Sequence, residues 1–143
     1  MYQWLLKAGI LVLTVFSVVT PIRADELADS QQLAVASSDE WLKLVDAGNF
    51  SESWQKCSSY FRSLVPEDKW TVSIDAVRKP LGLVVARKLQ SATHLNSLPG
   101  APDGQYFVIV YETSFENKAA GIETITPMLD SDGRWAVSGY YIK

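Results

Sequence analysis

Three residues of this chain are best placed to hold or move a charge: His94 ahead of a Pro/Gly-rich segment, Arg78 between two apolar stretches, and Glu123 within a β-branched run. His94 is the only histidine, so no zinc site with several imidazole ligands can form, and the most it offers is one general base. The plainer reading is a partly exposed ring near a strand end. Arg78 offers a guanidinium fork able to fix a carboxylate through two hydrogen bonds. An internal ion pair with Glu112 or Glu123 ranks first for it. An exposed arginine favoured by a helix C-terminus ranks second, and a clamp on a ligand third. Glu123 alternates with Ile125. If that face is buried, the carboxylate needs a partner and becomes a candidate functional acid. The alternative, with Thr124, Thr126 and Met128 facing inward and Glu123 solvated, holds a slight lead.

The aromatic residues Trp54, Tyr111, Trp135, Tyr140 and Tyr141 could line a cavity with rings and hydroxyl handles, although such residues more often simply fill a core. Combining the two lines gives a candidate ligand-binding set of Trp54, Arg78, Tyr111, Glu123 and Tyr140. No catalytic residue, metal ligand or cofactor is assigned. The lone thiol, Cys57, permits no intramolecular disulfide and no thiolate metal site, and its place on an apolar stripe makes it a buried, inert side chain. Asp39, Glu40, Glu67 and Asp68 read as charges in the first turns of helices rather than as a calcium loop. Phosphate-binding glycine motifs, a nucleophile elbow and a spaced histidine pair are all missing from the sequence. A net charge of −3 gives no electrostatic footprint for nucleic acid.

These residues need elements to position them, and the chain supplies a helical half followed by a strand-rich half. The first 24 residues stand apart. Lys7 precedes an apolar or small run of about thirteen residues, Ala8 to Thr20, and Pro21 and Ala24 follow. That order reads as a cleavable signal peptide over residues 1–24, since a spanning helix needs about twenty apolar residues. With no cysteine at the cleavage point, a lipid anchor is not expected. The mature chain, 25–143, is then an exported single domain, periplasmic or secreted, with no stable membrane anchor.

Within it, helical spacing predicts a helix over Asp25–Ala47, either continuous or restarting at "SSDE" (37–40), with Gly48 as its stop. A second is predicted over Asn49–Val65, where Phe50, Trp54, Cys57, Phe61 and Val65 share a face. A third begins at Pro66 and ends by Pro80. After Gly82 the period becomes two. Strands are predicted over residues 83–95, Tyr106–Phe115, Ile122–Leu129 and Trp135–Ile142. "LPGAPDG" is turn chemistry launching the second strand, "ENKAAG" turns the chain, and Asp132-Gly133 marks a hairpin. Pro127 cannot donate to a ladder, so its strand is an edge or is bulged there. The fold class is α+β: three N-terminal helices packed on a curved antiparallel sheet of about four strands.

Five stretches, "WLKLVDAGNFSESWQKCSSYFR" (41–62), "RKPLG" (78–82), "LPGAPDGQYFVIVYETSF" (98–115), "ETIT" (123–126) and "DGRWAVSGYYIK" (132–143), carry a resemblance in their order. Together they resemble the exported bacterial family catalogued as domain of unknown function 4019, over nearly all of the mature chain. The helices-then-sheet order also resembles the nuclear-transport-factor-two-like (cystatin-like) cone. That superfamily holds enzymes, ligand binders and dimerisation modules, so the resemblance implies a fold and no single function. Pro127 departs from the family's unbroken β-branched run. The reading that follows is a non-catalytic exported domain that binds a small apolar or carboxylate-bearing molecule or a protein partner. One alternative is a cone-fold isomerase or dehydratase drawing an acid/base pair from His94, Glu123, Tyr111 and Arg78. Another is a homodimer built on the outer sheet face.

Overall fold

A computed structural model describes residues 23–143, and the leader read over 1–24 lies outside the described residues except at its last two positions. The helical half holds α1 (Ala24–Asp46), α2 (Phe50–Gln55), α3 (Ser59–Leu64) and α4 (Glu67–Arg78), with one 3-10 turn at Lys79–Leu81. The strands are β1 (Val84–Leu95), β2 (Tyr106–Phe115), β3 (Lys118–Leu129) and β4 (Trp135–Ile142), paired antiparallel in the order β1-β2-β3-β4. The helices-then-sheet architecture expected from the sequence is the one observed.

The first helix does not restart at Ser37. It runs unbroken and buries the stripe Ala34, Ser38, Trp41, Leu42 and Val45, ending where Gly48 takes a positive φ of 77°. The expected second helix is broken in two. Ser58 adopts extended backbone angles, its hydroxyl accepts from Phe61 N to cap α3, and its own N–H donates to Val137 O of β4 at 2.9 Å. A tertiary contact thus interrupts a segment whose apolar spacing is continuous. Cys57 sits in the intervening turn, still buried.

The second strand has the predicted limits, and Phe107, Ile109, Tyr111, Thr113 and Phe115 all face the helices, each buried. The third begins at Lys118 rather than Ile122, because the turn needs only Glu116 and Asn117. Gly121 therefore lies within the strand, opposite Thr113. A Cβ there would meet Thr113 O at 3.0 Å and the Phe115 ring at 3.1 Å. The phenyl ring covers the glycine, an arrangement that restores packing at a weak strand position. Pro127 stands in an interior strand, and the β3–β4 register shifts between Ile125 and Pro127, so it is accommodated by a bulge and not by an edge.

An aromatic seam joins helices to sheet. Trp41 packs against Trp70 and Tyr140 with ring centroids 5.9 Å and 5.2 Å apart, and Phe61 meets Trp70 edge-on at 5.4 Å. The buried indoles need acceptors, and Ser53 supplies both: Trp41 Nε1 donates to its carbonyl at 2.9 Å and Trp70 Nε1 to its hydroxyl at 3.0 Å. The seam separates two regions where chemistry could occur. One is a charged cluster at the C-terminal ends of α1 and α4, and the other is a groove near the β3–β4 hairpin.

Candidate functional site

Glu123 is fully buried and faces the helices, which corrects the slight preference for a solvated face. Four donors converge on it. Arg87 Nε reaches Oε1 at 2.7 Å and Arg87 Nη2 reaches Oε2 at 3.3 Å, while the Thr113 and Tyr140 hydroxyls donate to Oε1 and Oε2. Each partner has an N–H or O–H to give, an arrangement suited to a carboxylate acting as acceptor. Beyond Arg87 stands Asp46, the last residue of α1. Arg87 grips it in a fork, Nη1 to Oδ2 at 2.7 Å and Nη2 to Oδ1 at 3.0 Å. Arg78 Nη2 adds a third bond at 2.8 Å. Two arginines and two acids thus form one neutral chain, Arg78–Asp46–Arg87–Glu123, linking four elements.

The electrostatics follow from this geometry. Burial alone would raise the Asp46 pKa, but the bonds from Arg87 and Arg78 outweigh it and hold the carboxyl below its ordinary value. Burial opposes the charge on Arg87, yet its bonds to Asp46 and Glu123 raise its pKa further. Burial and the neighbouring Glu123 charge push the Tyr140 hydroxyl well above its usual value, so it remains a donor. Arg78 is only 6% exposed, and its Nε and Nη1 have no hydrogen-bond partner among the described residues. Its Cζ lies 5.2 Å from the centre of the Phe115 ring, whose π-face offsets part of that cost.

The internal ion pair expected for Arg78 therefore exists with a different acid. Its partner is Asp46, Glu123 belongs to Arg87, and Glu112 is exposed. Of the five candidate ligand-binding residues, Arg78, Glu123 and Tyr140 are brought together. Tyr111 donates instead to Asp39 Oδ1 at 2.5 Å. Asp39 and Glu40 are thus mid-helix residues and not first-turn charges, because α1 is continuous. Trp54 lies apart, its Nε1 bonded to Val65 O at 2.7 Å with Arg62 over its ring. His94 sits at the far end of β1, its ring 5.2 Å from Phe107 and its Nε2 against Gln105. Cys57 is buried, which pushes its thiol up to about 12.

Asp46 and Arg87 were missed from the sequence. Asp46 had a signal: a carboxylate in the last turn of a helix opposes the helix dipole, and such a placement asks for a cationic partner. Arg87, followed by Lys88 in an edge strand, had none.

A second region is open to solvent. A groove of about 670 Å³ runs beside α1. Leu33, Ser37, Glu40, Trp41 and Leu44, spaced to share one helical face, form one wall. Trp135 and Ala136 of the hairpin and the turn after α2 form the other. The walls are tied: Ser37 Oγ donates to Trp135 O at 2.6 Å, and Asp130 accepts from Ser59 N at 2.7 Å and Ser59 Oγ at 2.6 Å. Its apolar surface is ringed by both signs of charge. A shallower trough of about 540 Å³ lies over β1, β2 and β3. Neither concavity is lined by Arg78, Tyr111, Glu123 or His94.

Residues 37–140 match a family model described as Protein of unknown function (DUF4019). The chain belongs to that family. The matched span opens in the middle of α1 and takes in every residue of the ionic cluster together with nearly all of the groove, so both lie inside the DUF4019 domain. No curated protein and no solved structure matches the chain.

Proposed function

We propose that this DUF4019 member is an exported, non-catalytic interaction domain that receives an apolar side chain in the groove beside α1. The observation that carries this reading is the contrast between the two regions. The acids and arginines a reaction would need are spent on one another inside the fold, whereas the groove is open, held in shape by hydrogen bonds, and lined on its two walls by Trp41 and Trp135. Its volume falls within the roughly 300–1,000 Å³ range of recognition sites. Export rests on the leader pattern of residues 1–24. No described helix is long and apolar enough to cross a membrane.

The test uses the fluorescent probe 1-anilinonaphthalene-8-sulfonate at sub-micromolar protein. A saturable rise that is lost in Leu44→Lys and kept in Tyr140→Phe supports binding in the groove. No saturable rise, or one lost in Tyr140→Phe and kept in Leu44→Lys, overturns it. The second of those outcomes would return attention to the buried cluster and to the enzyme reading.

A further inference from the structure

We infer that the occupant of the groove is a second copy of this chain, the two groove faces meeting about a two-fold axis with Leu33 of each copy entering the groove of the other. The inference rests on the interaction reading above and names the partner. Three observations carry it. Leu33 is 61% exposed although it borders the groove, so each copy offers a protruding apolar side chain beside a recess able to take one. A two-fold interface requires this self-complementarity, since the same patch must serve as both knob and hole. The walls are already tied by the Ser37 and Asp130 hydrogen bonds, so little ordering cost attends docking.

The charges decide between a second copy and a ligand of one sign. Glu40 is paired with Lys43, and Asp132 with Arg134. Of the other charged residues bordering the groove, Asp130 is held by Ser59, and Glu52, Lys56 and Arg62 have no ion pair among the described residues. An anionic ligand would meet Glu52, and a cationic one would meet Lys56 and Arg62. A two-fold arrangement sets Glu52 of one copy against Lys56 and Arg62 of the other, and does so twice.

Sedimentation equilibrium of the protein purified after expression of the full chain tests this. The wild type should dimerise, Leu33→Glu should weaken the dimer by roughly a hundredfold or more, the scale of losing two buried leucines, one from each copy, and Val72→Glu, a still more exposed site on α4, should leave it unchanged. Glu52→Lys alone and Lys56→Glu/Arg62→Glu alone should each weaken self-association, while mixing these two variants should restore dimers, because every cross-copy pair is then matched again. Restoration by mixing is a result that altered folding cannot produce. A wild type that stays monomeric to about 200 µM overturns the second-copy inference. Because the probe experiment is run on dilute protein, its outcome separately decides whether the groove binds at all. A dimer insensitive to Leu33→Glu, or variants that fail to associate on mixing, also overturn it.

Discussion

Glu123→Gln changes one oxygen for one NH2 group on a fully buried side chain, and its cost follows from the hydrogen bonds. Glu123 accepts from Arg87, Thr113 and Tyr140, and all of these are donors. The glutamine amide keeps one acceptor oxygen and places a second donor against whichever partners faced the lost one. Arg87, only 16% exposed, keeps Asp46 but loses the charge of its other carboxylate. Removing one partner of a buried ion pair typically costs about 3–5 kcal/mol, because the remaining charge is left uncompensated. Against a total stability of roughly 5–15 kcal/mol, that is a large fraction.

The double variant separates this penalty from the net worth of the pair. In Glu123→Leu/Arg87→Met no charge is stranded at either position, and Asp46 retains Arg78 at 2.8 Å. Apolar replacement of buried pairs is often neutral or better. The double variant should therefore be more stable than Arg87→Met alone, and its loss should fall short of the summed single losses by about 2 kcal/mol or more. Urea denaturation followed by tryptophan fluorescence and far-UV circular dichroism measures this, provided the slope is unchanged. A cost for Glu123→Gln below about 1 kcal/mol, or additive single and double losses, would refute the claim that this carboxylate is held by Arg87.

Three further outcomes follow. Gly121→Ala should destabilise the domain by about 1–3 kcal/mol in the same assay, since its Cβ would sit 3.0 Å from the Thr113 carbonyl and 3.1 Å from the Phe115 ring. Cys57, 4% exposed with its thiol pushed up to about 12, should resist iodoacetamide at pH 8 in the folded protein and react at the ordinary rate in urea, as mass spectrometry would show. Asp46 has its folded pKa lowered, so its contribution is fully present above the unfolded value near about 3.9 and is lost as pH falls through the folded value. Thermal stability should therefore hold from neutral pH to about pH 5 and decline below pH 4, and Asp46→Asn should be less stable at neutral pH and show a shallower acid decline.

What was legible in the sequence and what was not divides by the range of the interaction. The limits of β2 and β4 follow from period-two alternation and from local turn chemistry at "LPGAPDG" and Asp132-Gly133, and the structure has them at the same residues. The break between α2 and α3 was illegible because its cause is Ser58 binding the edge of β4, 80 residues away along the chain, while Trp54, Cys57 and Phe61 keep helical spacing. The start of β3 was obscured by its own composition: Ala119, Ala120 and Gly121 look like a turn, and their pairing with the end of β2, with the Phe115 ring over Gly121, makes them a strand.

The charged cluster divides in the same way. Arg78, Glu123 and Tyr140 stood out as polar groups in apolar surroundings, but an arginine and an acid chosen singly do not reveal which acid meets which arginine. The register does. Thr113 lies opposite both Arg87 on β1 and Gly121 on β3, and Tyr111 lies opposite Glu123. Arg87 therefore reaches Glu123 diagonally over Thr113, a residue small enough to let the guanidinium pass and able to donate to the same carboxylate. An acid turned inward on β3 must find its cation across β2, and a long side chain over a short hydroxyl is how this sheet provides it. Arg87 then has Nη1 and the second N–H of Nη2 left for another acid, and Asp46, ill-placed at the negative end of its helix, is the carboxylate that they hold. Arg78 completes the neutral count, and its remaining nitrogens lie against Phe115, the ring that also covers Gly121. The phenyl ring thus supports a weak strand position on one side and a partly unpaired guanidinium nearby, so loss of that ring should loosen both the start of β3 and the end of α4.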